Sequence, residues 1–376
     1  MKILSLIILF FVSGICFAGE ILTVKSMSYI ETKSQDCELN DDMCMTIPFV
    51  YSKNKDVADR INNFLFIIKF GIMAPKEYSK NFGKEINLQG IASHNFLVVQ
   101  NNETVLALKF TEEACGAFCE KYSSYYTFDT DTGDNISPEE LFNESGRKAL
   151  AKRIINYRNS LYRKQIKLLK KELSNFKRKK AREVNDESEE DMYERIELNE
   201  RCIKDISEYK FYYDQFNDVL NFKFNISSVD IITQRCSGHA MRALDDVGDI
   251  TMPISYRELK PYLTDYGRSL FLNKPKKKFT KSVYGKILTG KIGERTSVTM
   301  LLHKYSANSL SGVYFYNKYG KAIKLSGTAS GDNLKLKEYA EDEVTVTAEI
   351  NLKIIKDKLI GNWTGGNKSI PIELDL

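Results

Sequence analysis

The chain has 376 residues, 55 Lys+Arg against 50 Asp+Glu for a net charge of +5 at pH 7, with 43% hydrophobic and 28% charged residues. That composition excludes wholesale disorder, a collagen-like repeat and a polytopic membrane protein. The small charge excess gives no global argument for nucleic acid as a partner, and the length is enough for two or three domains.

The N-terminus opens with Lys2 and the apolar run from Ile3 to Phe17, broken only by Ser5, Ser13 and Gly14, followed by Ala18. A charged start, an apolar stretch and a small residue at the cleavage position form a secretory leader, here residues 1–18. The run is shorter than the roughly 20 residues that span a bilayer, and no later segment is apolar for long enough, so no stable membrane insertion is expected after the leader is removed.

Export changes the reading of the cysteines, because an oxidising compartment favours disulfides over free thiols or zinc. Removing Cys16 leaves Cys37, Cys44, Cys115, Cys119, Cys202 and Cys236. Six is an even number, with about 15 possible pairings. Proximity suggests Cys37–Cys44 and Cys115–Cys119 as local loops, leaving Cys202–Cys236 as the long-range staple. The chain has no Cys-x-x-Cys and only three histidines, so neither a metal nor a redox cofactor is expected.

In chain order, Ile21 to Val24, Met43 to Phe49, Phe96 to Gln100 and Val105 to Phe110 read as strands, being β-branched and aromatic between Asn, Asp and Gly. Between them, Val57, Ile61, Phe64, Ile67 and Ile68 carry helical spacing over residues 55–72. Tyr125 to Phe128 predicts a strand ending in a turn at Asp129-Thr130-Asp131-Thr132-Gly133-Asp134, and Ser137-Pro138-Glu139-Glu140 predicts a capped helix start. Asp129, Asp131, Asp134 and Glu140 suggest a calcium loop, but its sixth position requires Gly and here holds Asp134. The spacing therefore favours a solvated turn.

Residues 146–205 predict a charged helical hairpin, with Leu150, Ile154, Tyr157, Leu161, Leu168 and Phe176 at three-to-four-residue spacing. Arg147 to Arg182 carries fifteen Lys/Arg against Glu172 alone, and Glu183 to Glu200 carries nine acids against Arg195. Two helices of opposite charge joined near Val184-Asn185-Asp186 can neutralise each other as an antiparallel pair. Alternatively, the basic helix binds an anionic polymer. Phe211 to Asp214 and Val219 to Ile226 resume strand character. Residues 273–280, opening with Asn273-Lys274-Pro275-Lys276-Lys277-Lys278, read as a polar, basic linker.

From 281 to 376 the pattern becomes short alternating runs at about ten-residue spacing, starting with Val283 to Leu288 and ending with Ile370 to Leu374. Eight such strands predict an antiparallel meander, a small barrel or a sandwich. Trp363 fits a core or barrel-end position. The fold class is thus an α+β domain over 19–272 carrying the hairpin, followed by an all-β module.

For chemistry, His239 with Asp245, Asp246 and Asp249 is the one candidate binding cluster, although a lone His beside a cysteine is more often packed or capping. There is no Gly-x-Ser-x-Gly, no phosphate-cradling loop and no His-Glu-x-x-His. No catalytic residue is assigned.

Gly116-Ala117-Phe118-Cys119, then Tyr126-Thr127-Phe128-Asp129 with Asp131-Thr132-Gly133, then Leu141-Phe142, and above all Ile254-Ser255-Tyr256-Arg257-Glu258-Leu259-Lys260-Pro261-Tyr262-Leu263, occur in this order over residues 20–272. This succession resembles the extracellular domain of RsiV-like, lysozyme-sensing anti-sigma factors, a PdaC-like half followed by a domain of unknown function. The family's frequent Gly-Ala-His is here Gly116-Ala117-Phe118. The resemblance implies an α+β envelope domain that binds lysozyme, another envelope protein or a cell-wall glycan, without catalysis. It covers neither the hairpin well nor 281–376. Two other functions remain open: a cell-wall hydrolase or deacetylase working through carboxylates, and an adhesin for an anionic glycan using the basic helix.

Overall fold

The computed structural model describes residues 20–28, 45–79, 91–115, 119–180, 187–208, 220–272, 282–304 and 308–376. The leader, Cys37, Cys44, the hairpin apex at 184–186, the strand expected at 211–214 and the linker 273–280 lie outside the described residues.

The α+β part begins with an antiparallel pair, β1 (Thr23–Ser28) and β2 (Thr46–Tyr51), followed by α1 (Lys55–Phe70). Asn54 caps α1 by accepting the Asp56 N–H, and Gly71 ends it in the left-handed conformation, donating its N–H to the Ile67 carbonyl. The expected stripe of Val57, Ile61, Phe64 and Ile67 is buried.

Next comes an antiparallel sheet of β3 (Ile91–Asn101), β4 (Val105–Cys115) and β5 (Cys119–Asp129), each longer than the apolar runs that signalled it. The central strand β4 feeds two cores, because alternate side chains face opposite sides of a sheet. Leu106, Leu108 and Phe110 pack with Ile47, Ile61, Phe64 and Phe128. Val105 and Ala107 face a second core with Leu150, Ile154, Tyr162, Phe222, Ile231, Ile254 and Tyr266. That second core is closed by the sheet of β6 (Leu220–Phe224), β7 (Ser228–Thr233) and β8 (Ile250–Ser255).

Short helices lock this assembly. In α2 (Pro138–Leu141) Ser137 and Glu140 form a capping box, as Ser255 and Glu258 do in α5 (Tyr256–Leu259). Helix α6 (Asp265–Phe271) is capped by Thr264, whose hydroxyl accepts from the Gly267 N–H and donates to the Glu140 carbonyl. Gly267 has no room for a side chain: a Cβ there would lie 2.6 Å from the Leu141 carbonyl oxygen.

The charged hairpin is α3 (Glu144–Lys180) and α4 (Glu187–Glu208). The first turns of α3 belong to the second core through Leu150 and Ile154. At roughly 1.5 Å per residue its 37 residues reach about 55 Å, so its far half has to make its own core. It does so with α4 through a seam of Leu169, Leu173, Met192 and Ile196, backed by Ile166 and Phe176. At the base, the Cys202–Cys236 disulfide ties α4 to the segment after β7, and Cys115–Cys119 bridges the β4–β5 hairpin. No helix among the described residues is long and apolar enough to cross a membrane.

The C-terminal module is a closed antiparallel barrel of eight strands: β9 (Ile287–Ile292), β10 (Thr296–Lys304), β11 (Ser309–Tyr316), β12 (Ala322–Ser330), β13 (Asn333–Tyr339), β14 (Val346–Ile355), β15 (Lys358–Gly365) and β16 (Lys368–Asp375), with β16 returning to β9. Closure removes both sheet edges. The interior is filled by Leu288, Val298, Met300, Leu325, Leu336, Ile350, Leu359 and Leu374 among others, as expected for eight strands. Gly327 and Gly361 permit the tight wall, since a Cβ there would lie 1.9 and 1.8 Å from the neighbouring strand's carbonyl oxygens.

The first strand starts at Ile287, later than the Val283 to Leu288 run predicts. Val283 is buried against the barrel core, Gly285 takes a positive φ, and Lys286 turns toward the α+β part, so these residues form a junction. The outer face of β9–β11, through Ile287, Leu301 and Phe315, completes the core beneath α1. Lys286 Nζ lies 2.9 Å from Glu140 Oε2, with both side chains nearly inaccessible.

Candidate functional site

The predicted cluster is divided among separate tasks. Asp245 Oδ2 accepts from the Ser237 hydroxyl at 2.6 Å, and Oδ1 accepts from the Val247 and Gly248 N–H groups at 3.1 and 2.9 Å. Burial opposes the Asp245 charge, but the Ser237 hydroxyl and these backbone donors outweigh it and hold the carboxyl below its usual range. Asp246 receives Arg195 of α4 and Gln165 of α3, bracing both arms of the hairpin. Asp249 accepts from the Arg235 N–H at 3.0 Å. His239 opens the 3-10 helix His239–Leu244, and its side chain lies outside what is described. Asp246 therefore fastens the hairpin to its base, while Asp245 and Asp249 hold the loop that carries it.

The suggested calcium ligands are also dispersed. Asp129 accepts from the Asp131 N–H and from the buried Tyr266 hydroxyl, Asp134 pairs with Arg60, and Glu140 pairs with Lys286. Among the described residues no group of His, Cys, Asp and Glu is placed to hold a metal ion.

The helices of the hairpin pair through charge as well as the apolar seam: Lys170 meets Glu200 at 2.8 Å and Lys177 meets Glu189 at 3.3 Å. Arg195 is taken up by Asp246 and Asp191, and other described charges face outward. Glu190, Asp191, Glu194 and Glu197 form an exposed acidic face on α4, while Arg163, Lys164, Lys167 and Lys171 are exposed on α3. The hairpin thus offers two faces of opposite sign to solvent.

A buried charged cluster lies between α1 and β3–β5. Lys69 contacts Glu112 and donates to the Ser124 hydroxyl, His94 Nε2 is 3.4 Å from Glu112 Oε1, and Lys69 lies over the rings of Phe110 and Tyr126. Burial opposes the Glu112 charge, but hydrogen bonding from His94 and the Lys69 ammonium outweigh it, holding its pKa down at about 2 against 4.5. Because the folded value is depressed, the associated stability is present above pH 4.5 and is lost as pH falls toward 2. We predict that Glu112→Gln flattens the acid limb of the stability curve between these values. Equilibrium urea unfolding at a series of pH values measures this, and an unchanged limb would contradict it.

The barrel holds the most unusual group. Along β13 the inward positions run Leu334, Leu336, Glu338, so a carboxylate stands where alternation calls for an apolar residue. Its Oε2 accepts from the Tyr314 hydroxyl at 2.6 Å and Trp363 Nε1 at 2.8 Å, and its Oε1 accepts from the Thr347 hydroxyl at 2.8 Å. Burial, reinforced by Glu338, pushes the Tyr314 hydroxyl far above its ordinary pKa, so it serves as a donor. Tyr316 places its hydroxyl 3.2 Å from that of Tyr314.

Beside this network the wall opens. The pairing of β12 with β13 begins only at Leu325 opposite Glu338, so Ala322, Ile323 and Lys324 bond to β11 alone. The register of β13 on β14 also shifts between Glu338 and Tyr339. The result is a cleft of about 380 Å³ whose lining includes Ile323, Glu338, Tyr339, Ala340 and Thr347. Lys321–Glu341 and Lys324–Glu343 ion pairs strap its two sides.

Sequence reasoning missed Glu338, Tyr314 and Thr347, and placed Trp363 in the core or at a barrel end without its partner. The available signal was the break in apolar alternation at Glu338. Neither a protein-family model nor a curated protein matches this sequence.

Proposed function

We propose that this is an exported protein, periplasmic or secreted, that binds a basic envelope protein without catalysis, lysozyme being the partner that the resemblance over 20–272 suggests. Export is supported by the leader sequence and by the two disulfides. The observation that carries the choice of a basic partner is the acidic outer face of α4. A chain with net charge +5 gains no steering toward a cationic protein as a whole, whereas Glu190, Glu194 and Glu197, beside the Arg195-paired Asp191, present a local field of the required sign.

The test is titration of the oxidised mature protein against several lysozymes while peptidoglycan lysis is followed. Saturable inhibition is expected, and the triple variant Glu190→Lys, Glu194→Lys, Glu197→Lys should weaken it about tenfold or more, chiefly by slowing association. Full-rate lysis at saturating protein would remove lysozyme as the partner, and inhibition unchanged in the variant would remove this face as the surface.

The exposed Arg163, Lys164, Lys167 and Lys171 of α3 favour a second reading, adhesion to an anionic glycan. Charge reversal separates the two: Lys164→Glu with Lys167→Glu should abolish binding to an anionic glycan, where each neutralised charge releases counterions, and should leave the lysozyme titration unchanged.

A further inference from the structure

We infer that the mouth of the C-terminal barrel is a binding slot for a lysine or arginine side chain of a protein partner, with Glu338 as its anionic floor. This goes beyond the reading above and rests neither on the α4 face nor on the resemblance.

Three buried carboxylates of this protein each face a basic side chain. Glu112 faces Lys69, Asp134 faces Arg60 and Glu140 faces Lys286, so in each case a basic side chain offsets the cost of desolvating the charge. Glu338 is only 8% exposed, and its described partners are three neutral donors: a phenol, an indole N–H and a threonine hydroxyl. A carboxylate offers about four acceptor positions, and these donors fill two on Oε2 and one on Oε1. The remaining position is on Oε1, beside Thr347, and both residues line the cleft.

The surroundings define the occupant's charge. The cleft lining holds three carboxylates, Glu338, Glu341 and Glu343, against the two ammonium groups of Lys321 and Lys324. Each lysine is paired with one of the outer glutamates, leaving Glu338 as the uncompensated charge. A cationic group reaching Glu338 would give it the kind of partner that Glu112, Asp134 and Glu140 have. Arg meets a carboxylate through two parallel N–H bonds, but only one acceptor position is open here, so a single charge-assisted bond suffices for either residue.

The rim indicates that the cation comes on a protein. Tyr319 and Val344, at the tips of the two hairpins flanking the cleft, are 72% and 79% exposed, and Val346 is also exposed. Apolar residues surrounding a buried charged slot give the anatomy of a protein contact, with an anchor at the centre and a water-excluding surround. Among the described residues the α+β part packs on the β9–β11 side of the barrel, and the cleft lies on the β12–β14 side.

Trp363 is the only tryptophan and donates directly to Glu338, so its fluorescence reports the slot in the intact chain. The experiment titrates the full oxidised protein with the peptide Gly-Gly-Arg-Gly-Gly, with its uncharged citrulline counterpart, and with free arginine. The arginine peptide should shift Trp363 emission saturably, and the citrulline peptide should bind at least about tenfold more weakly. Glu338→Gln should lose a similar factor. Ala322→Phe, which narrows the cleft from an exposed position and leaves the Glu338 network intact, should weaken the peptide too, keeping the test decisive if Glu338→Gln folds poorly. Equal affinity for both peptides, or full affinity in Ala322→Phe, overturns the slot. Free arginine binding as tightly as the peptide overturns the protein partner and makes this a site for a small cation.

Discussion

Lys286→Met should lower the unfolding free energy by about 3–5 kcal/mol, the range for removing one partner of a buried ion pair. Lys286 and Glu140 have side chains only 2% and 4% exposed, with Nζ 2.9 Å from Oε2 and donating also to the Asn135 carbonyl. Without the lysine, Glu140 keeps among the described residues the N–H groups of Ser137 at 3.0 Å and Ser282 at 3.3 Å, too little to balance a dehydrated charge. Because Glu140 caps α2 and Lys286 leads into β9, the damage falls where the two parts of the protein meet. Adding Glu140→Leu to the variant should recover part of the loss by removing the stranded charge, although it also removes the capping box, worth about 1 kcal/mol. Urea unfolding followed by Trp363 fluorescence and by far-ultraviolet circular dichroism measures both. A loss under about 1 kcal/mol in Lys286→Met would show that the pair does not hold the junction.

Replacing Cys202 and Cys236 together by Ala should cost about 4 kcal/mol, from the closure entropy of a loop with a sequence separation of 34. The penalty is expected to be concentrated at the hairpin base. Cys202 is buried in the second core, and the Cys236 N–H donates to the hydroxyl of the buried Tyr162. The hairpin's far seam, with four buried side chains, depends on α4 being delivered in register against α3. The equivalent change at Cys115 and Cys119, only four residues apart, should cost markedly less because the closed loop is short. Thermal unfolding of the two double variants gives the comparison, and equal losses would contradict the loop-length argument.

These two sites show what local pattern conveys and what it omits. Alternation and turn residues identify the eight barrel strands because each hairpin's signal lies within about ten residues. The α1 stripe and the opposed charges of α3 and α4 are local signals of the same kind, and charge opposition anticipates the Lys170–Glu200 and Lys177–Glu189 pairs. Lys286 and Glu140 are 146 residues apart, and no local period marks either. Asp245, Asp246 and Asp249 look like a cluster in sequence because carboxylates in a loop are also what a ligand site would use. Their partners arrive from Ser237, Arg195, Gln165 and Arg235 only when the chain folds. Glu338 is a third case: the alternation of β13 was legible, and the exception within it was the informative residue.

The central claim is recognition of a basic protein without catalysis, and the most direct test is calorimetric titration of the oxidised mature chain with lysozyme at low and at physiological salt. The account predicts one saturable event with a dissociation constant below about a micromolar, weakening moderately as salt screens the α4 face. Absence of heat at both salt concentrations, with the two proteins sedimenting separately, would contradict it.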